Sequence, residues 1–257
     1  MDNLKIIDTH AHYDDEAFDI DREELLFSLP EKGVKSIITQ GISIEKSKSA
    51  LLLADKYNYI YATVGVHPED VNTVDLNSDW IEQLSKLLNH PKAVAVGEIG
   101  LDYHYDGYDK DKQILIFEEQ LKLANKLNLP CVIHSRDATK DTITLLQKHK
   151  PKGVMHCFSG SVETAEMILN LGMYIGFTGV LTFKNAKKAV EACKKVPIDR
   201  LLLETDCPYM APVPFRGKRC DSSMIIKTAK KAAEIKELPL DELIENCNNN
   251  AISLFKL

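Results

Sequence analysis

A rhythm constrains this chain more than any single motif. Eight short apolar runs recur along it: "LKIID" (4–8), "VKSIIT" (34–39), "IYATVGV" (60–66), "AVAVGE" (93–98), "PCVIH" (130–134), "GVMHCF" (153–158), "MYIGFT" (173–178) and "RLLLET" (200–205). Each is nearly continuously apolar, as a strand buried on both faces of a parallel sheet must be. Longer amphipathic segments separate them. Over 111–127, Ile114, Phe117, Leu121 and Ala124 recur at spacings of three and four and so share one helical face. Ile244, Cys247, Ala251 and Leu254 repeat the pattern in the last segment. Strands alternating with helices imply βαβ units. Eight of them in 257 residues predict an α/β fold, a (β/α)8 TIM barrel with an extra C-terminal helix. A doubly wound open sheet asks for a Gly-rich turn after its first strand, and none follows Asp8. No linker, low-complexity tract or long charge run divides the sequence, so residues 1–257 read as a single domain.

Composition narrows the function classes. Apolar residues make up 44% of the chain, enough for a sizeable core, yet no apolar run reaches membrane-spanning length. The first residues lack the basic-then-apolar order of a signal peptide. Six cysteines, Cys131, Cys157, Cys193, Cys207, Cys220 and Cys247, are scattered without a C-x-x-C pair. They read as free thiols of a cytoplasmic protein and give a zinc finger no support. The net charge of −6 argues against a broad basic surface for nucleic acid but leaves room for a small basic patch. A monomer is the default expectation.

In a TIM barrel the active site forms at the C-terminal ends of the strands. The reactive residues of this sequence collect there. The first run leads to His10 and His12, the third to His67, the fourth to Glu98, the fifth to His134, the sixth to His156 and the eighth to Glu204 and Asp206. His10 and His12, at i and i+2 of an extended segment, lie on one face. His104 falls slightly further into a loop, and His90 and His149 sit in polar, helix-ending segments that read as surface. Imidazole and carboxylate without thiolate motifs suit Zn, Mn, Ni, Co or Fe, and Mg where oxygen dominates. A single catalytic zinc takes three protein ligands. Four histidines and two carboxylates exceed that number and point to two divalent ions about 3.5–4 Å apart.

"DTHAHYDD", "VGVHPED", "VGEIGLDY", "VIHSRDA", "HCFSGS", "ETDCPYMAP" and "RGKR" follow one another in that order. Together they resemble the TatD family of metal-dependent deoxyribonucleases, within the amidohydrolase-like metal TIM barrels. The resemblance runs from residue 8 to Phe255. It implies that His10, His12 and Asp206 hold one ion, that His134 and His156 hold the other, and that Glu98 bridges both. It leaves Glu204 a supporting role. Asp8 shares the face of His10 and His12 and is expected to orient a ligand imidazole. The family follows R-G-K-R with Asn-Glu-Pro. Here the residues are Cys220, Asp221 and Ser222, a departure in the substrate-covering loop that touches no proposed ligand.

The expected reaction is hydrolysis of a DNA phosphodiester by a metal-bound hydroxide, with Glu98 and Asp206 as the catalytic carboxylates and Asp206 also the proton acceptor. His67 and Arg136 are expected to contact the phosphate, whose oxygens match the guanidinium fork. Arg216, Lys218 and Arg219 form a basic cluster beside Phe215, in a loop stiffened by Pro212 and Pro214. An aromatic beside basic residues suits DNA that is single-stranded or at an end. Cys157 and Cys207 read as packing thiols. The competing function is an amidohydrolase or esterase cutting a C–N or C–O bond, an aminoacyl ester for example, with the same two ions. A pure binding protein would leave these converging charged groups without a purpose.

Overall fold

Every one of the eight apolar runs forms a strand. The computed structural model describes residues 4–257. In chain order the elements are β1 (Ile6–Ala11), α1 (Arg22–Ser28), β2 (Val34–Thr39), α2 (Ile44–Lys56), β3 (Ile60–Val64), α3 (Trp80–Leu87), β4 (Ala93–Asp102), α4 (Lys110–Leu127), β5 (Cys131–Arg136), α5 (Thr139–His149), β6 (Gly153–Met155), α6 (Val162–Asn170), β7 (Tyr174–Phe177), α7 (Lys187–Lys195), β8 (Leu201–Leu203), α8 (Ile225–Lys236) and α9 (Leu240–Phe255). The strands pair in parallel in sequence order, β1 through β8. This is the TIM barrel, with α9 as the extra C-terminal helix. Among the described residues no helix is long and apolar enough to cross a membrane.

Strand alternation builds the interior. Ile38, Val94, Val132, Val154 and Leu202 pack in one cluster with Phe255 of α9. They plug one end of the barrel with apolar volume. Two residues beyond Val132, Val154 and Leu202 come His134, His156 and Glu204, while Glu98 reaches the same space at a register irregularity of β4 between Val96 and Ile99. The period of two therefore carries those first three polar residues into the interior, above the plug. A second, larger cluster fills the layer between sheet and helices, with Ile37, Phe117, Leu121 and Ile244 among its members.

The barrel closes where β8 meets β1, and side chains do much of the closing. Asp206 N donates to His10 O at 2.9 Å and His12 N to Cys207 O at 2.7 Å, beside a parallel bridge between Ala11 and Cys207. The buried Asp8 carboxylate accepts from Thr205 N at 2.9 Å, Thr205 Oγ1 at 2.6 Å and Ser222 Oγ at 2.6 Å. Ser222 belongs to the segment that departs from the family pattern. At the far end of the seam, Asn248 Oδ1 accepts from Ile7 N at 2.9 Å and Asn250 Nδ2 donates to Leu201 O at 2.9 Å. Two polar residues of α9 thus satisfy backbone groups at the base of the seam, which would otherwise be buried unpaired.

Several strand ends differ from the sequence reading. β1 continues to Ala11, so His10 lies inside it. β4 runs past Glu98 to Asp102. β6 stops at Met155, one residue before His156. A carboxylate inside an apolar run looks like a terminus, but a barrel interior can hold charge where other polar groups face it. Gly100 makes the extension of β4 possible: at φ 148° its missing Cβ would stand 1.9 Å from His134 O, so β4 approaches β5 there only with glycine.

Candidate metal centre

Glu98 is the hub of the interior, almost fully buried, and its two oxygens face different partners. Oε2 lies 3.1 Å from His10 Nε2 and 3.6 Å from His12 Nε2. Oε1 lies 2.7 Å from His156 Nε2, 3.1 Å from His134 Nδ1 and 3.6 Å from His67 Nε2. Asp206 completes the first side, with Oδ1 3.4 Å from His12 Nε2 and 3.7 Å from His10 Nε2. The sequence-predicted residues His10, His12, Glu98, His134, His156 and Asp206 therefore converge, divided by one carboxylate into two groups.

The outer nitrogens decide which ring atoms carry lone pairs into the cluster. His134 Nε2 bonds Asp102 Oδ2 at 2.8 Å, so Nδ1 is left free to face Glu98. His67 is the opposite case. Its Nδ1 accepts from Glu69 N at 3.2 Å, which puts the proton on Nε2. His67 thus points a donor, rather than a lone pair, at the cluster. His156 Nδ1 has Glu204 Oε1 at 3.7 Å. Glu204 is held in turn by the backbone N–H of Cys157. Its carboxylate fills the space a Cβ on Gly176 would need, 2.4 Å away. Asp8 does not orient an imidazole as expected: its oxygens are taken by Thr205 and Ser222, and His10 Nδ1 is buried without a partner.

The electrostatics favour cationic charge in this space. Burial penalises charge on every group, yet the imidazoles of His156, His10 and His67 hold the Glu98 carboxyl well below its ordinary range. Asp206 is also held low against burial, chiefly by its hydrogen bond with His12. Burial works against a charged His12, but Asp206 and Glu98 prevail and raise it to about 9. Asp102 and Glu98 overcome burial in the same way at His134, also raised to about 9. Burial pushes His10 down to about 4 and His67 to about 3. Nitrogens 3.2 Å apart in His10 and His12, and 3.3 Å apart in His134 and His156, can share a cation. With two carboxylates added, the donor set fits divalent metal ions.

Other expected contacts fall around the mouth. Arg136, last residue of β5, stacks over the Tyr105 ring at 4.9 Å, with Nη1 donating to Tyr105 Oη at 3.1 Å. Arg219 is engaged elsewhere, its two Nη atoms each 2.6 Å from an Asp21 oxygen. Arg216 lies over Phe183 at 4.3 Å, and Phe215 packs against the core. His104 bonds Asp137 at 2.8 Å outside the cluster. His90 and His149 pair with Asp55 and Glu118. All six cysteines are free thiols. Asp102 escaped the sequence reading, although counting by twos from Glu98 through Gly100 puts it on the same strand face.

Residues 7–256 match the family described as TatD related DNase. The chain belongs to the TatD family. The metal-dependent hydrolase YabD of Bacillus subtilis is 41% identical over 255 residues, covering 98% of this chain and 99% of that protein. The Escherichia coli metal-dependent hydrolase YcfH is 34% identical over 258 residues, covering 98% and 96%. Among solved structures, the TatD homologue YjjV of Escherichia coli superposes at a TM-score of 0.92 and 35% identity, covering 98% of each chain. An amidohydrolase from Saccharomyces cerevisiae superposes at 0.86 and 25% identity, covering 98% and 100%. The TatD match spans the whole cluster, from His10 to Asp206.

Proposed function

We propose that this protein hydrolyses phosphodiester bonds of DNA with two divalent ions, Zn, Mn, Mg, Ni or Co. His10, His12 and Asp206 would hold one ion, His134 and His156 the other, and Glu98 would bridge them. The observation that carries this reading is the division of Glu98, whose oxygens serve separate histidine groups 3.1 Å and 2.7 Å away. Bound there, the ions would supply a water of lowered pKa and neutralise charge on the phosphate. Asp206, held ionised at the edge of the cluster, accepts the proton of the attacking water. His67 donates from Nε2 to a phosphate oxygen, a role its tautomer suits better than metal ligation. Arg136 supplies fixed positive charge at the mouth, already oriented by Tyr105. Arg216 and Arg219 would reach a longer strand only by leaving Phe183 and Asp21. Six unpaired thiols suit action in the cytoplasm, and we take the protein to act as a monomer.

A second reading, cleavage of a C–N or C–O bond, draws on the likeness to the yeast amidohydrolase. One assay panel separates the two. Protein loaded with each metal is offered single- and double-stranded DNA, RNA, amides, lactones and aminoacyl esters. The proposal expects DNA to be cut and the rest to react slowly. Turnover of amides or esters with every nucleic acid left intact would replace it with the second reading.

A further inference from the structure

We propose that Tyr105 and Tyr209 are two base-stacking brackets, one on each side of the metal cluster, which grip the bases flanking the bond to be cut in a single strand. The inference rests on the nuclease reading. In a ring of eight strands closed between β8 and β1, the β4–β5 edge lies diametrically across the mouth. Tyr105 follows β4 and Tyr209 follows β8, so the two rings stand on opposite sides of the opening.

Each ring is rooted close to a cluster residue. Tyr209 N donates to Asp206 O at 2.9 Å, and its ring meets the His12 ring edge-on at 6.1 Å. Tyr105 lies three residues beyond Asp102, the carboxylate that holds His134. Both hydroxyls are tied, that of Tyr209 to Asp15 Oδ2 at 3.0 Å and that of Tyr105 to Arg136 Nη1 at 3.1 Å. Yet Tyr105 remains 55% exposed and Tyr209 53%. A ring already fixed at its polar end loses little conformational freedom when a base covers its open face. Every base has a π-face, so such a contact tolerates sequence and is open to single strands.

Tyr105 carries Arg136 over one face at 4.9 Å, so a base would stack on its other face. Tyr108 is already stacked on Tyr103 at 4.8 Å and 12°, and Phe215 packs against the core. The charge balance also favours stacking. With a net charge of −6 and Arg219 neutralised by Asp21, phosphate attraction over a broad surface is weak. Stacking supplies affinity that added salt does not screen away.

The test uses the metal-loaded protein and a short single-stranded oligonucleotide with 2-aminopurine placed in turn at each position. Tyr105→Ala and Tyr209→Ala are compared with the corresponding phenylalanine variants, after bound metal and melting temperature confirm an intact fold. The wild type should quench the probe on both sides of the cut, and each alanine variant should relieve one side only. KM for the single strand should rise roughly ten-fold in each, with kcat and the salt slope nearly unchanged in Tyr209→Ala. Tyr105→Ala also frees Arg136, and Tyr105→Phe, which breaks that hydrogen bond but keeps the ring, separates the two effects. Phenylalanine should retain most of the quenching. Alanine variants that bind and cut like the wild type would overturn the brackets and leave the nuclease reading standing. A fall in kcat without a change in KM would also overturn them. A wild type that ignores the oligonucleotide while hydrolysing another ester would overturn both readings.

Discussion

The two sides of Glu98 use the same ligand chemistry but are positioned by different means. On one side, His10, His12 and Asp206 come from the seam between β1 and β8, where backbone bonds such as Asp206 N to His10 O at 2.9 Å set their spacing. Asp8 fastens that seam through Thr205 and Ser222 rather than through an imidazole. On the other side, His134 and His156 project from β5 and just beyond β6, and carboxylates stand behind the rings: Asp102 at 2.8 Å and Glu204 at 3.7 Å. The first side is therefore shaped by barrel closure; on the second, a hydrogen bond to Asp102 fixes His134, while Glu204 stands behind His156 beyond hydrogen-bond distance. Substitutions that disturb closure should cost stability, while those that remove a backing carboxylate should cost metal affinity.

The largest effect should come from Glu98→Gln, which weakens both sides together. Activity should fall at least about a thousand-fold, the scale of several kcal/mol of transition-state charge stabilisation, and metal analysis should find both ions diminished. Asp206→Asn should be more selective. We expect a loss of roughly a hundred-fold or more in kcat and weakening of only the ion on the seam side, seen as one retained tight site in calorimetric titration. Equal weakening of both sites would erase the distinction. Asp102→Asn is the mirror experiment: it should lower affinity on the His134 side by roughly 10- to 100-fold with the melting temperature nearly unchanged.

Asp8→Asn should do the reverse. Disturbing a buried carboxylate with four donors costs about 1–3 kcal/mol, a fall of several degrees in melting temperature at this chain length. The surviving folded protein should keep its metal affinity. Lost metal affinity in a fully stable Asp8 variant would show that the seam acts through the ligands after all. The smallest effect should come from Arg219→Ala. Its partner Asp21 is exposed, so the pair contributes at most about 1 kcal/mol, and DNA affinity should stay within about two-fold. A marked flattening of the salt dependence of DNA binding would return Arg219 to the substrate path.

Much of this was legible in the sequence, because the fold and the cluster both depend on the period-two pattern of buried strands. Eight apolar runs became eight strands, and the residues at their ends met in one space. The departures were local. Glu98 looked like a strand end because a carboxylate in an apolar run ordinarily faces water; here five imidazoles face it instead. Asp102 was within reach of the same alternation. The tautomer of His67 depends on the backbone N–H of Glu69, and the fate of Arg219 on Asp21, nearly 200 residues away in sequence. No spacing rule reports such contacts. Asp8 did share the face of His10 and His12, but the hydroxyls that claimed its oxygens, Thr205 and Ser222, both came from the segment beyond β8.

The account stands on Glu98 dividing the cluster into two cation sites. Anomalous scattering from crystals soaked in Mn or Zn tests this directly. Two peaks are expected about 3.5–4 Å apart, one beside Oε2 with His10, His12 and Asp206, the other beside Oε1 with His134 and His156. A single peak in protein saturated with metal, or two that both lie on one side of Glu98, would contradict it.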